Sequence, residues 1–259
     1  MCKTVVVTMK CYCIHICLLT ATALILACTE SGQPRVKPKE GAFDPVAHAD
    51  KRLKKARENF RVASATDDTA WQLGAACFQR AEFAKNNSER AALAQEGIDV
   101  CRKLVAADPN NFGGHYYLGM NVGQMARVKR FSALGLVKDM ERAFAAVSDL
   151  NATFNHAGAD RNLGLLYFKA PPIISVGNKS KARLHLERAV ELAPDYPANR
   201  LNLLEAYIQW KDSAGIVDQR AVLRELLPKA RNELSGDQWA TDWLEWDNRW
   251  KELDGTSHE

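Results

Sequence analysis

The sequence predicts an all-α protein, a solenoid of about four helix pairs that ends in one further helix. Alanine and leucine dominate from about Val46 onward, and apolar residues recur at spacings of three and four, the period of a helix with one buried face. The dipeptide Leu-Gly occurs three times at a spacing of 45 residues, at Leu73-Gly74, Leu118-Gly119 and Leu163-Gly164. A unit that repeats at such a period is typical of solenoid architectures.

The repeated glycines indicate close helix–helix packing. Each lies within a predicted helix, where glycine costs about 1 kcal/mol relative to alanine, so a packing reason is expected. The partner helices carry a second stripe of residues at positions i, i+4 and i+7, which we expect to face the preceding helix. The stripe consists of Gly97-Cys101-Leu104, Ala143-Val147-Leu150 and Ala182-Leu186-Ala189.

Composition and charge exclude several classes of protein. With 259 residues, of which 47% are hydrophobic and 25% charged, the chain is not a disordered, collagen-like or small disulfide-stapled protein. The formal net charge of +4 includes Lys3 and Lys10, which lie in a leader that we expect to be removed. The mature chain is therefore close to neutral, and no nucleic-acid partner is predicted.

Residues 1–28 are predicted to be a lipoprotein signal peptide. The stretch 11–29 has no charged side chain, follows Lys10 and ends in small residues, as secretory signals do. Its end, Ile25-Leu26-Ala27-Cys28, resembles the lipobox of bacterial lipoproteins, which implies cleavage before Cys28 and lipid attachment to that cysteine. An uncleaved anchor is the alternative, because about 20 apolar residues span a bilayer.

Either interpretation places the folded part of the chain on the periplasmic side of the cell envelope, held at a membrane. The sequence leaves open whether this is the inner or the outer membrane, and whether the start is Met1 or Met9. Residues 29–44 are rich in proline, glycine and charge and are predicted to be a flexible tether. The repeat domain is predicted to cover 45–234.

Two cysteines, Cys77 and Cys101, are expected in the mature domain besides the predicted anchor. We expect both to be small buried residues. A disulfide between them is the alternative, since an extracytoplasmic compartment is oxidising. No Cys or His residues stand at the spacing of metal ligands, and neither a metal nor another cofactor is predicted.

Residues 235–254 are predicted to form a tryptophan-rich capping helix. Ser235-Gly236-Asp237-Gln238 has the form of a capping box. Four tryptophans follow on one helix face: Trp239, Trp243, Trp246 and Trp250. Either these side chains close the end of the solenoid, as terminal caps do, or they form an aromatic patch for a partner protein or for self-association.

The motif Leu163-Gly164-x2-Tyr167, followed by Ala182-x3-Leu186-x2-Ala189-x4-Pro194, resembles the tetratricopeptide repeat (TPR). The resemblance implies a right-handed superhelix of helical hairpins that acts in protein–protein binding. Three copies and a degraded fourth, from Asn199 to about Leu227, cover nearly the whole mature chain. The spacing of 45 residues exceeds the family's 34-residue unit, so longer helices or turns are expected.

A narrower resemblance covers residues 113–210. The stretches GGHYYLGMNVGQMARVKR, RNLGLLYFKAPP and GNKSKARLHLERAVELAPDYP are similar to the T-component of certain TRAP transporter systems. That resemblance implies a lipoprotein that works outside the cytoplasmic membrane with a substrate-binding partner, and a hydrophobic channel has been proposed for the group.

The first helix of each pair normally supplies the concave surface of a helical-repeat array. On that basis we predict a partner-binding groove of aromatic, amide and guanidinium side chains: Tyr116, Tyr117, Asn121, Gln124, Arg161, Asn162, Arg200 and Asn202. Adjacent residues point to different sides of a helix, so at least one of Tyr116 and Tyr117 is expected to be structural.

These observations favour a binding function. We expect an exported, lipid-anchored scaffold for one or more extracytoplasmic proteins, with a self-oligomer as another outcome. The alternative is a T-component accessory of a TRAP-type transporter that works with a periplasmic substrate-binding protein. The sequence contains no GxSxG, P-loop or GxGxxG motif, and no catalytic residue is predicted.

Overall fold

The computed structural model describes residues 43–62, 68–129, 133–173 and 175–255, and the regular structure within them is helical. The ten helices are α1 Pro45–Val62, α2 Thr69–Glu82, α3 Asn87–Ala107, α4 Phe112–Val128, α5 Ala133–Leu150, α6 Phe154–Lys169, α7 Lys179–Leu192, α8 Pro197–Trp210, α9 Ser213–Glu233 and α10 Ala240–Leu253. The predicted signal peptide with Cys28, and the tether up to residue 42, lie outside the described residues. Of the described helices, none has the length and apolar character that a membrane span requires.

The helices pair into hairpins, as the sequence predicts. Helices α2 and α3, α4 and α5, α6 and α7, and α8 and α9 pack against each other, and the first helices of successive pairs also touch. Helix α1 packs on α2 at one end, and α10 packs on α8 at the other. The fold is therefore an all-α, TPR-like solenoid of four helical hairpins with a helix at each end.

Asparagine and aspartate side chains start most of the paired helices. Asn86, Asn111, Asn178 and Asp212 each accept a hydrogen bond from the backbone N–H three residues further on, at the starts of α3, α4, α7 and α9. Such a cap satisfies one of the four N–H groups that the first helical turn leaves without a partner.

The repeated Leu-Gly dipeptides lie at equivalent positions of α2, α4 and α6, and each glycine packs against the second helix of its own hairpin. A β-carbon on Gly119 would lie 2.8 Å from Phe144 Cε1, and one on Gly164 would lie 2.7 Å from Leu186 Cγ. The nearest atom to a β-carbon on Gly74 would be Cys101 Sγ. The prediction of close helix approach at all three glycines is confirmed.

The predicted stripe is correct in part in the middle repeat, where Ala143 and Val147 are buried but the third residue is not. Cys101 and Leu186 are fully buried against the preceding helix, as expected, but Leu150 is 39% exposed. Met140, Phe144 and Val147 are also buried, with the same i, i+4, i+7 spacing three residues earlier, and Phe144 takes the place beside the Leu-Gly glycine. The sequence pattern missed this register because Phe144 is large where the other copies have a small or medium residue.

Replacing Gly164 with alanine is expected to destabilise the fold, whereas the same change at Gly135 is not. The new β-carbon at Gly164 would meet Leu186 Cγ and, at 3.0 Å, the Leu186 backbone nitrogen, which cannot move aside. We expect a loss of about 1–3 kcal/mol in the free energy of unfolding. Gly135 is a matched control in α5 with nothing within 4 Å of its added β-carbon, and alanine there gains up to about 1 kcal/mol.

Urea denaturation followed by circular dichroism measures both variants. Equal midpoints for Gly164→Ala and the original chain would refute the close packing described for the Leu-Gly positions.

The C-terminal tryptophans pack inside the last repeat. Trp243 and Trp246 are 7% and 2% exposed and join a core cluster with Leu201, Leu204 and Leu223, against which Trp239 and Trp250 also pack. This burial fits the cap interpretation of α10. The predicted capping box is wrong, because α10 begins at Ala240 and its N-cap, Trp239, forms no side-chain capping bond.

Cys77 and Cys101 are free and buried between α2 and α3. Burial raises the pKa of the Cys101 thiol to about 12, and burial together with Glu96 raises that of Cys77 further. Both thiols are therefore protonated at neutral pH and behave as small apolar residues.

Candidate functional site

A cavity of about 370 Å³ lies on the face formed by the first helices of the pairs. Each of α2, α4, α6 and α8 contributes to its wall, and α1 and α10 border it as well. Its volume is within the range of small-molecule sites. The wall divides into a cluster of hydrogen-bonding groups on α4, α6 and α8, a charged surface on α10, and an apolar part.

An unusual backbone turn begins α6 at the edge of this cavity. Asn155, His156 and Ala157 have φ values of 50°, 56° and 57°, so three consecutive non-glycine residues adopt the left-handed conformation. Each such residue costs roughly 1–2 kcal/mol, and left-handed residues normally occur singly. Strained backbone of this kind is concentrated at functional sites, where the surrounding structure holds it.

Arg161 holds the left-handed turn from the next turn of α6. Its Nη2 donates to the Asn155 carbonyl at 3.2 Å, and its Nη1 donates to the His156 carbonyl at 2.9 Å. Nη1 also donates to Asn199 Oδ1 at 3.0 Å, and the guanidinium lies over the Tyr196 ring at 5.0 Å. Arg161 is 8% exposed, and within the described residues it forms no ion pair, so its positive charge is buried among neutral acceptors.

The Tyr116 hydroxyl lies at the centre of the polar cluster. It accepts hydrogen bonds from Asn155 Nδ2 at 2.8 Å, from Asn162 Nδ2 at 3.2 Å and from Arg161 Nη2 at 3.4 Å. Three N–H donors thus surround the phenol oxygen, and no acceptor among the described residues receives its own proton. Tyr116 borders the cavity, so this proton is available to an acceptor placed there.

Asn202 adds a second polar group to the same wall. Its side chain is 3% exposed, borders the cavity, and has no hydrogen-bond partner among the residues that the structure describes. The Asn202 amide is therefore free to bind a group placed in the cavity.

Helix α10 carries the charged wall of the cavity. Asp242 forms no ion pair among the described residues, and burial raises its pKa to about 6, against the opposing effect of Arg161 and Arg52. Glu245 and Arg249 border the same space, and Arg249 also bonds to Glu205 on α8 at 3.0 Å. Asp242 and Arg161 therefore act on each other across the cavity without touching.

Apolar side chains complete the lining. Phe78 of α2, Met120 of α4 and Leu165 of α6 border the cavity, together with Trp239 and Trp246 from the α10 region. The wall thus combines apolar surface with charged and amide groups, which differs from the hydrophobic channel that the T-component resemblance implies.

An aromatic rim continues from the cavity to the surface. It consists of Trp71, Phe112, Tyr117 and Phe154. Tyr117 borders the cavity and stacks on Trp71 with ring centroids 5.7 Å apart, and Phe154 joins Trp71 to Phe112. Trp71 and Phe154 are partly exposed, and Phe112 is 36% exposed.

Five of the eight predicted groove residues border this cavity: Tyr116, Tyr117, Arg161, Asn162 and Asn202. The other three are engaged elsewhere. Asn121 donates to the Gly74 carbonyl, Gln124 bonds to Glu82 and Arg90, and Arg200 bonds to the Pro194 carbonyl. The expectation that at least one of Tyr116 and Tyr117 is structural is confirmed, because Tyr116 is 1% exposed and belongs to the main core cluster, although both side chains border the cavity.

Other lining residues were not foreseen from the sequence. Met120 and Leu165 follow Tyr116 and Arg161 by four residues, so the helical period places them on the same face and could have found them. No such signal points to Asp242, because its place at the cavity depends on how α10 folds back over α8.

A second buried polar cluster joins α5, α6 and α7. Asp160 is fully buried, pairs with His185 Nδ1 at 2.7 Å and accepts from Ser148 Oγ at 3.2 Å. The aspartate lies between the serine and the histidine, so the histidine does not contact the hydroxyl and the order required for nucleophilic catalysis is not met. Arg188 Nη1 donates to Ser148 Oγ at 3.1 Å and completes the cluster. We assign this cluster a structural role. The described residues hold no group of three or more side chains able to bind a metal ion.

No known family model matches the chain, and no curated protein matches it. Among solved structures, it is similar to a thermophilic TPR protein of Thermus thermophilus. The sequences are 16% identical, the match covers 78% of this chain and 99% of that one, and the TM-score is 0.46.

Proposed function

We propose that this chain is an exported, lipid-anchored scaffold that binds an extracytoplasmic protein at the cell envelope. A solenoid of helical hairpins offers a long surface that a partner can contact at several helices at once. Export and lipid attachment are supported by the uncharged stretch 11–29 and by its end at Cys28. A catalytic role has no support from the polar clusters described above.

The aromatic rim is the observation that carries this proposal. Its rings come from α2, α4 and α6, three successive first helices, and the rim reaches solvent at Trp71, Phe112 and Phe154. Large aromatic side chains of this kind dominate the binding energy of protein interfaces, because they bury much area at low cost in conformational entropy. A partner that covers the rim would also cover the mouth of the cavity.

Loss of the rim is expected to abolish capture of the partner. The chain would be purified from its own membranes after crosslinking, and co-purified proteins identified by mass spectrometry. The double variant Trp71→Ala/Phe112→Ala should recover about tenfold less partner or worse, as expected when two interface aromatics are truncated. Phe112→Ala alone, at a side chain that is more than one-third exposed, tests the rim with little risk to folding.

Leu184→Ala provides the matched control. Leu184 is 62% exposed on α7, a second helix of its pair, so its loss removes apolar surface outside the rim. Two results would contradict the assignment of the rim as the partner-binding surface. One is equal recovery of the partner by all three variants, and the other is reduced recovery with Leu184→Ala alone.

The cavity favours a second candidate, a transport accessory that holds a ligand and works with a periplasmic substrate-binding protein. A space of about 370 Å³ is within the range of small-molecule binding sites. Recovery of a substrate-binding protein or a permease subunit in the same capture experiment would favour this candidate. Recovery of envelope-assembly proteins or a self-oligomer would favour the scaffold.

A further inference from the structure

Two opposite charges line the cavity without forming an ion pair with each other: the buried Arg161 and the partly exposed Asp242. Arg161 is buried with its N–H groups on neutral acceptors, and Asp242 has no cationic partner within ion-pair distance among the described residues. Burying charge is costly unless the charge is paired. Arg161 and Asp242 form no ion pair with each other, so a group that compensates both charges would lie in the space between them.

Hydrogen-bonding groups without internal partners accompany each charge. On the Arg161 side, the Tyr116 hydroxyl proton and the Asn202 amide have no partner among the described residues, and both border the cavity. These donors suit a carboxylate, which accepts hydrogen bonds through two oxygens. On the opposite side, the Asp242 carboxylate is an acceptor and suits an ammonium group.

We propose that the cavity binds a small amphoteric molecule of the α-amino-acid type, with its carboxylate on Tyr116 and Asn202 beside Arg161 and its ammonium group on Asp242. The apolar part of the wall, from Phe78, Met120 and Leu165, takes an apolar side chain of that molecule. Such a ligand compensates both charges at once, whereas a simple carboxylate or a simple amine leaves one of them unpaired. This inference goes beyond the scaffold function and does not depend on it.

A panel of the twenty L-amino acids tests the proposal on the full chain, purified from membranes in detergent. At millimolar concentration, one or more amino acids with apolar side chains should raise the melting temperature, because a ligand that binds only the folded state stabilises it. Calorimetric titration then compares the best amino acid with its two analogues that lack the amine or the carboxylate. For phenylalanine, these analogues are 3-phenylpropanoate and 2-phenylethylamine.

Each analogue is expected to bind about tenfold more weakly than the amino acid, or worse, since each loses a charge-assisted hydrogen-bonded group. The variant Asp242→Asn should weaken binding of the amino acid to a similar extent while it leaves binding of the carboxylate analogue unchanged. Asp247→Asn is the matched control, because Asp247 lies on the same helix and pairs with Arg231 away from the cavity. The variant Asn202→Ala tests the opposite wall and should weaken binding of the amino acid and of the carboxylate analogue alike.

Three results would overturn the proposal. These are no thermal shift with any amino acid, equal affinity for the amino acid and its deaminated analogue, or unchanged affinity in Asp242→Asn. Capture of a protein partner through the aromatic rim would be unaffected by any of these results, so the failure of this inference is separate from that of the scaffold function.

Discussion

Replacing Arg161 with methionine is expected to lower the free energy of unfolding by about 3 kcal/mol. The variant keeps a long side chain but removes the donor to the Asn155 carbonyl and to Asn199 Oδ1, and an unsatisfied buried polar group costs about 1–3 kcal/mol. The His156 carbonyl keeps only its hydrogen bond from Asn199 Nδ2. It also releases the left-handed turn, whose three strained residues are held by these bonds. Loss of a buried charge offsets part of the cost.

Urea denaturation measures this effect against two further variants. Arg142→Met is the matched control, because the Arg142 side chain is 78% exposed and its surface ion pair contributes little. Arg161→Lys keeps the charge but cannot bridge two carbonyls with a planar group, so its stability should lie between those of the other two. A midpoint for Arg161→Met that equals that of Arg142→Met would show that Arg161 does not hold the turn.

The variant Asp242→Asn is expected to be more stable than the original chain at pH 7.5, by about 3 kcal/mol, and equally stable near pH 4. Burial raises the pKa of Asp242 from 3.8 to about 6, so ionisation is less favourable in the folded state than in the unfolded state. Between these two values the folded state binds more protons, and stability falls as the pH rises. Asparagine has the same shape as aspartate and does not ionise, so the variant does not lose stability as the pH rises.

The other groups around Asp242 do not produce the same profile. Arg161 stays charged, and Tyr196, whose pKa is raised by burial, stays neutral between pH 4 and 7.5. Glu245 and Arg249 are present in both chains and cancel in the comparison. Asp247→Asn is again the control, and a pH-independent difference, or a less stable Asp242→Asn at pH 7.5, would contradict the account.

A gain in stability on removal of Asp242, together with a loss of ligand affinity, would be typical of a binding residue. Proteins keep destabilising groups at sites where function needs them, and stabilising substitutions there cost activity. The two measurements are made on the same variant, so their signs can be compared directly.

The repeat architecture could be predicted from the sequence because it depends on local, periodic signals. The Leu-Gly dipeptides mark equivalent positions of successive hairpins, and each acts within its own repeat. The register of α5 could not be predicted, since Phe144 fills the space beside Gly119 that smaller side chains occupy in the other repeats. Asn121 follows Tyr117 by four residues, yet its side chain bonds to the Gly74 carbonyl rather than bordering the cavity, so this contact between α4 and α2 could not be predicted from the helical period.

The candidate site was predicted only in part, because half of it comes from outside the repeats. The residues on α4 and α6 follow from the helical period, whereas Asp242 reaches the cavity through the packing of α10 on α8. The left-handed turn has a weak signal at best: Asn155 is a residue that tolerates this conformation, but His156 and Ala157 are not. Both features depend on contacts between residues far apart in the chain.

Site-specific photocrosslinking tests most directly the central claim that binding occurs on the face formed by the first helices. A photoreactive phenylalanine analogue would replace Phe112 on the rim, Gln79 at the cavity, or Leu184 on α7, and the chain would be irradiated in its own membranes. The account predicts covalent adducts, protein or small molecule, at Phe112 and Gln79 and none at Leu184. Adducts confined to Leu184 would contradict it.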